Sequence, residues 1–417
     1  MKTKHTLTIS MLLLISTNLF SQITFFNYNK INIFNSNFIK NNTKKLTIFD
    51  KNFYFKSDFN EDNFVEQSKN SLILNQNFAS DYMTSKYDGV ENDKFSNIKQ
   101  SDNDSDKYVP SSLFMYADNP RYTMTGDRPL LKTDIRPLNA ALIGSFYAGV
   151  FYIQHEMQQN TIWKRVGPFN IQEDIKYCLW VDKFGHFFGG YSTSYVMSEA
   201  LQTSGFSWET ATIIGSALGL GYMTYIEILD GFSKDFGFSP SDFYADVLGS
   251  SYFLLQHYFP VLQNFSPKFE YVNPHWLGEE DRKPHDTFID DYSSQSFWWT
   301  VNLQNLFGGF VKEYMPSWMQ LTIGYAAYSM VDPIKYPSDP HKVDPVSHDV
   351  WGNRRAILAI DYDLVKLLPD GPPFWNWLKQ GLNLFKLPAP ALEFGFGRPT
   401  KFYILYPFEF RFSGFRM

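Results

Sequence analysis

One cysteine in 417 residues, Cys178, excludes an intrachain disulfide and a thiolate metal cluster built within the chain. Positive charge is not in excess either. Lys and Arg number 37 against 43 Asp and Glu, for a net charge of -6 and a pI of about 5.8. A nucleic-acid footprint needs clustered basic surface, so no nucleic-acid partner is expected. No uninterrupted apolar run beyond about 14 to 16 residues is visible, short of the ~18 to 20 that cross a bilayer as a helix. Gly-x-Ser-x-Gly, a phosphate-binding glycine loop, His-Glu-x-x-His and internal repeats are all missing.

Aromatic side chains, by contrast, are abundant, with 41 Phe and 26 Tyr. That excess points to a large apolar core, a membrane interface, or both. The N-terminus reads as a signal peptide over 1–21. Lys2 and Lys4 precede an apolar stretch from Ile9 to Leu19, with cleavage near Ser21. Export to the periplasm or outer membrane is therefore expected. No cysteine stands at the cleavage point, which argues against a lipid-bearing N-terminus. Residues 22–110 are rich in Asn, Lys and Ser without a sustained apolar period, and read as mostly disordered.

From Pro137 the pattern changes. Leu138 to His155, Asp182 to Thr203, Trp208 to Leu229 and Ser239 to Tyr258 each read as a helix. Ser207 and Ser239 suit N-caps, Pro240 a first helical position, and Gly205 and Gly231 helix ends. Residues 137–262 are thus a helical domain, expected as a buried bundle rather than as membrane-crossing helices. Residues 263–296 read as a polar linker. Over 297–417 the period shifts towards two, with strands expected at Trp298 to Leu303, Gln320 to Tyr328, Arg355 to Leu364, Leu392 to Phe396 and Phe402 to Phe412. A short helix is expected at Trp375 to Phe385. The fold class is α+β: a four-helix bundle-like unit followed by an antiparallel, aromatic-rich sheet of about five strands, with a face that could meet a membrane.

The chemistry concentrates on three helices. Asp182 and His186 are four apart, Glu227 and Asp230 three apart, and Asp242 and Asp246 four apart, so each pair shares a helix face. Five carboxylates and an imidazole meeting at one point need compensation. One divalent cation (Zn, Mn, Fe or Mg) would supply it, with His186, Glu227, Asp230, Asp242, Asp246 and Asp182 as ligands. Protonated carboxylates, or pairing with Lys183, would also serve. Each residue has a plainer reading. Asp182 is placed to cap its helix, Asp242 to complete a capping box with Ser239, and His186 to be a hydrogen-bonded core histidine. His275, His285, Asp286, Asp290 and Asp291, like His341 and His348, read as solvated loop residues.

Several segments resemble an uncharacterised family, the predicted periplasmic lipoproteins (domain of unknown function 2279). They include Asp182-Lys183-Phe184-Gly185-His186, Ile226 to Ser233, and Gly237 to Asp242 with Gly249-Ser250. Asp291 to Trp298, Ile323 to Ala326, Ile360 to Leu364 and Leu387 to Glu393 are similar as well. The likeness runs over roughly 138 to 410. It implies an envelope location and no particular activity. The chain departs from the pattern in lacking the lipid-bearing cysteine. A fainter likeness is to VanZ-type proteins, which share the Asp-Lys, His-Phe, Glu and Asp arrangement.

Two functions follow as expectations. One is an envelope protein whose buried His/carboxylate site is structural, with outer-membrane or periplasmic protein partners and possible membrane contact. The other is a metal-dependent hydrolase acting on an envelope lipid or cell-wall precursor, with Glu227 activating water. A cleft reaching the polar residues would favour the second, and a sealed bundle the first.

Overall fold

The computed structural model describes residues 107–277, 288–289, 291–331, 351–395, 398–409, 411–412 and 415–416. The expected signal peptide and nearly all of the Asn-rich segment lie outside them, as do His285, Asp286, Asp290, His341 and His348. Tyr108 and Val109 are buried, so the folded part begins before residue 110.

A two-residue hairpin, β1 (Met115–Tyr116) and β2 (Asn119–Pro120), leads into α1 (Pro137–Asn160). Then come α2 (Val181–Thr203), α3 (Trp208–Phe232) and α4 (Pro240–Tyr258). Ser207 caps α3 and Ser239 caps α4 through their side chains, and Gly205, at φ +96°, follows the end of α2, all as expected. Gly231 is instead inside α3, where a Cβ would strike the Phe169 ring.

Helices α2, α3 and α4 form the packed unit. Glycines sit where their backbones approach most closely. Gly215 and Gly219 of α3 abut Ser198 and Ser194 of α2, and Gly249 of α4 abuts the Phe187 carbonyl of α2. Helix α1 lies outside this trio. It buries Val150, Gln154 and Gln158, and leaves Leu138, Leu142 and Phe146 exposed. Among the described residues, α3 alone is long and apolar enough to cross a membrane by length and composition. Its best window has a mean hydropathy of 1.3 and is 44% buried inside the protein. Single polar interruptions hide such a window from a search for unbroken apolar runs.

The sheet has six antiparallel strands in sequence order: β3 (Phe265–Tyr271), β4 (Gln295–Val301), β5 (Met319–Val331), β6 (Trp351–Tyr362), β7 (Ala391–Gly395) and β8 (Lys401–Tyr403). Short helices α5 (Leu303–Phe307) and α6 (Gly309–Tyr314) join β4 to β5. Helices α7 (Leu364–Leu367) and α8 (Pro373–Leu382) join β6 to β7, and a last hairpin pairs β9 (Arg411–Phe412) with β10 (Phe415–Arg416). The α+β class is as expected.

The segment read as the start of a polar linker is corrected: Phe265–Tyr271 is the first strand of the sheet. Its polar alternation is that of a strand whose charges point inwards. Lys268 is buried because Asp361 pairs with it at 2.7 Å, and Glu270 is buried against the Ser296 hydroxyl. Pro267 is tolerated because β3 is an edge strand. Asp291, read as a solvated loop acid, is also corrected. It is buried, accepting from Ser294 Oγ at 2.6 Å.

The sheet meets the helices through α2. Phe184 packs on Tyr325 with ring centroids 5.1 Å apart, and Phe188 packs on Phe269 at 5.6 Å. Offset or tilted ring pairs of this kind are worth about 0.5–1.5 kcal/mol each beyond their buried area.

Candidate functional site

The three site helices run antiparallel, so the start of α2, the end of α3 and the start of α4 converge at one end. Asp182 lies in the first turn of α2 and Asp242 in that of α4, where the helix dipole favours an acid. Glu227 and Asp230 lie near the end of α3, where it does not.

The approach to α2 is unusual. Cys178, Leu179 and Trp180 all have positive φ, at 46°, 54° and 76°. Such a left-handed run in non-glycine residues costs of order 1–3 kcal/mol per residue and persists where surrounding packing imposes it. Here Cys178 and Leu179 are buried in the core that joins α2 to the sheet, four and three residues before Asp182.

His186 is the hub. On its Nδ1 side lie Asp246 Oδ1 at 3.0 Å and Glu227 Oε1 at 3.6 Å. On its Nε2 side lie Asp182 Oδ1 at 3.7 Å and Asp242 Oδ1 at 3.8 Å. Lys183 occupies the second side as a compensating charge. Its ammonium is 2.8 Å from Asp182 Oδ2 and 2.6 Å from Asp242 Oδ1, and also pairs with Asp174. Tyr292 donates to Asp182 Oδ1 at 2.8 Å. On the first side Glu227 Oε2 accepts from the Ser239 N–H at 3.0 Å, and Asp246 Oδ2 is buried with no hydrogen-bond partner.

The structure thus brings together five of the six expected ligands and Lys183. Asp230 stands apart, accepting from Trp163 Nε1 at 2.6 Å at the margin of the same cleft. The capping-box reading of Asp242 is half right. Ser239 Oγ accepts from the Asp242 N–H, but Glu227 of α3, not Asp242, takes the returning bond from the Ser239 N–H.

Asp174 and Tyr292 were not found from the sequence. Asp174 arrives on a strap, residues 163–174, that crosses the end of α3. Gly167 N–H donates to the Phe232 carbonyl at 2.7 Å and Asn170 N–H to the Gly231 carbonyl at 2.8 Å, satisfying groups a helix end leaves open. No periodicity marks an irregular strap.

The charges resolve unevenly. Burial pushes the Glu227 carboxyl up, and Asp242 and Asp230 add to it against His186, bringing it to about 9. Burial likewise raises Asp242, with Asp182 adding to it, and raises Asp246 against the pull of His186. Asp182 goes the other way. Burial alone would raise it, but Lys183 and His186 overcome that and hold it at about 2. Burial opposes charge on His186, yet Asp242 and Asp246 raise it well above the usual imidazole range. Without a metal, then, Asp182 is ionised, Glu227 is protonated at neutral pH and His186 is a cation.

Two sets of three could each hold a metal ion: Asp182–His186–Asp242, and His186–Glu227–Asp246, with ligand atoms within 4.8 Å of one another in each. The site opens on a cleft lined by Asp174, Asp182, His186, Glu227, Asp230 and Asp242 among others. A second cavity lies between the helices and the sheet. There Gln256 donates to the Leu262 and Phe265 carbonyls and accepts from Tyr191.

Residues 172–257 match the family described as Predicted periplasmic lipoprotein (DUF2279). That segment runs from the strap through α4 and contains Asp174, Lys183 and all six expected ligands. The resemblance read from the sequence is thereby shown for this segment, while the likeness to VanZ-type proteins is not supported. The family description names a location and no activity. No curated protein and no solved structure matches the chain.

Proposed function

We propose that the chain is an exported envelope protein that binds one divalent cation through His186 Nδ1, Glu227 and Asp246, and presents it to a ligand entering the cleft. One observation carries this choice of ligands. Asp246 Oδ2 is buried beside Glu227 with neither a hydrogen-bond partner nor a cation, whereas Asp242 Oδ1, which also lacks a hydrogen bond, lies 2.6 Å from the Lys183 ammonium that pairs with Asp182 as well. An imidazole offers a lone pair on one nitrogen while the other carries a proton. With Nδ1 on the cation, Nε2–H faces Asp182 and Asp242, which orient the ring as outer carboxylates orient metal-bound histidines. One imidazole with two carboxylates suits Zn, Mn or Fe better than Mg.

Elemental analysis of the purified protein beside Glu227→Gln, Asp246→Asn and His186→Ala tests this. Near-stoichiometric metal in the parent and loss in all three variants is expected. A well-folded parent without metal would sink the reading and favour a role resting on protein partners in the envelope.

The cleft supports a second reading at the same site, the metal-dependent hydrolase of an envelope lipid or cell-wall precursor. There a bound cation would activate water, and Glu227, which lines the cleft, would exchange a proton with that water in place of binding the cation. A sealed bundle would have argued for a structural staple instead.

A further inference from the structure

The sheet mixes, on its inner face, a core cluster of Trp298, Ala326, Ile357, Ala359, Ala391 and Tyr403 with buried charge. Its inward rows carry charge: Lys268 pairs with Asp361, Arg355 pairs with Glu393, and the Thr300 hydroxyl donates to Asp361. Its outward rows are apolar and in register. Trp299 faces Ile323, Ile323 faces Leu358, Leu358 faces Leu392, and Leu392 faces Phe402, so one unbroken row crosses five strands. The next row runs from Phe297 through Tyr325 and Ala356 to Phe394. Helix α2 and the turn before it cover β3, β4 and the Tyr325 end of β5 on this face. Towards β8 it is bare, with Ile323 57% exposed and Phe402 53% exposed.

We propose that the outward face of β5 to β8 seats in one leaflet of a lipid bilayer, with lipid hydrocarbon as its occupant. This is independent of the cation site. Two observations favour lipid over a protein. First, the row from Ile323 to Phe402 offers no side-chain hydrogen-bonding group, whereas protein interfaces are only about 56–58% apolar and need polar partners. Second, the face has the edges of an interfacial seat. Arg354 closes it near the β6 start, its guanidinium 4.9 Å from the Trp180 ring. The connection between β4 and β5 exposes Phe307, Phe310 and Tyr314, each by more than two-thirds. Amphipathic and aromatic groups in such positions mark membrane–water boundaries.

The test is flotation of the purified full chain with vesicles of phosphatidylethanolamine and phosphatidylglycerol. The parent is expected to float, and an Ile323→Lys/Phe402→Lys variant to lose at least tenfold in partitioning while keeping its circular dichroism. A parent that stays in the aqueous fraction, or a variant that floats as well as the parent, overturns the proposal. So does a dimer that the same variant dissociates, without flotation of the parent, which would give the face to a second copy. Should the double variant misfold, Phe402→Cys labelled with an environment-sensitive fluorophore replaces it, Cys178 being fully buried. A blue shift on adding vesicles is expected, and unchanged emission overturns the proposal.

Discussion

Glu227, near the end of α3, accepts a hydrogen bond at 3.0 Å from the backbone N–H of Ser239, the residue that caps α4. A buried acid on one helix thereby completes the start of the next. Its role in folding and its role at the cleft are separable by substitution. Glu227→Gln keeps an acceptor and resembles the protonated acid of the metal-free protein. Glu227→Ala leaves the Ser239 N–H unsatisfied and opens space. In urea melts of metal-free protein, Glu227→Gln is expected within about 1 kcal/mol of the parent. Glu227→Ala is expected lower by at least about 1–3 kcal/mol.

Lys183 holds Asp174, Asp182 and Asp242 together. Removing one partner of a buried ionic cluster leaves uncompensated charge, at a cost of about 3–5 kcal/mol. Lys183→Met is expected to lower stability by that order at neutral pH. An unchanged denaturation midpoint would mean the acids are compensated some other way.

His257 supplies a pH signature away from the cleft. Burial lowers its imidazole to about 4 and Arg121 adds to this, while its ring packs edge-on to Trp208 at 4.7 Å. The unfolded chain takes up this proton near pH 6.5, before the folded one does. Stability present above pH 6.5 is therefore lost as pH falls from about 6.5 to about 4. The loss amounts to at most about 3 kcal/mol, at 1.36 kcal/mol for each tenfold change in proton affinity. Melting temperatures across this window are expected to fall less steeply in His257→Gln than in the parent.

The close approach of α2 and α4 can be probed at Gly249. A Cβ there would lie 2.0 Å from the Phe187 carbonyl oxygen, which is backbone and cannot step aside. Gly249→Ala is expected to destabilise by about 1–3 kcal/mol or more and to widen the gap between His186 and Asp246. Gly221→Ala is the control. Nothing lies within 4 Å of its Cβ, so helix propensity alone predicts a gain of about 0.5–1 kcal/mol. Thermal melts of the pair decide it.

The sequence made the helices and their shared polar face readable because both follow from period and capping. Asp182, His186, Glu227, Asp242 and Asp246 were legible as acids and an imidazole within apolar helical turns. Asp174 and Tyr292 were not, since both come from irregular segments where no period distinguishes a site residue from a solvated one. The first strand was missed for a different reason. Lys268 and Glu270 read as surface residues until Asp361 and Ser296 are seen opposite them. A strand whose charges face inwards inverts the usual inference from polarity to exposure.

Helix α2 carries Asp182 and His186 on one side and Phe184 and Phe188 on the other, the latter seated on Tyr325 and Phe269 of the sheet. It therefore works as a shaft fixed at both flanks. A rotation that lifts its phenyl rings off the sheet swings the imidazole away from Asp246, and a change around the imidazole pushes back on the strands. One helix thus sets the position of the imidazole relative to both its acids and the strands.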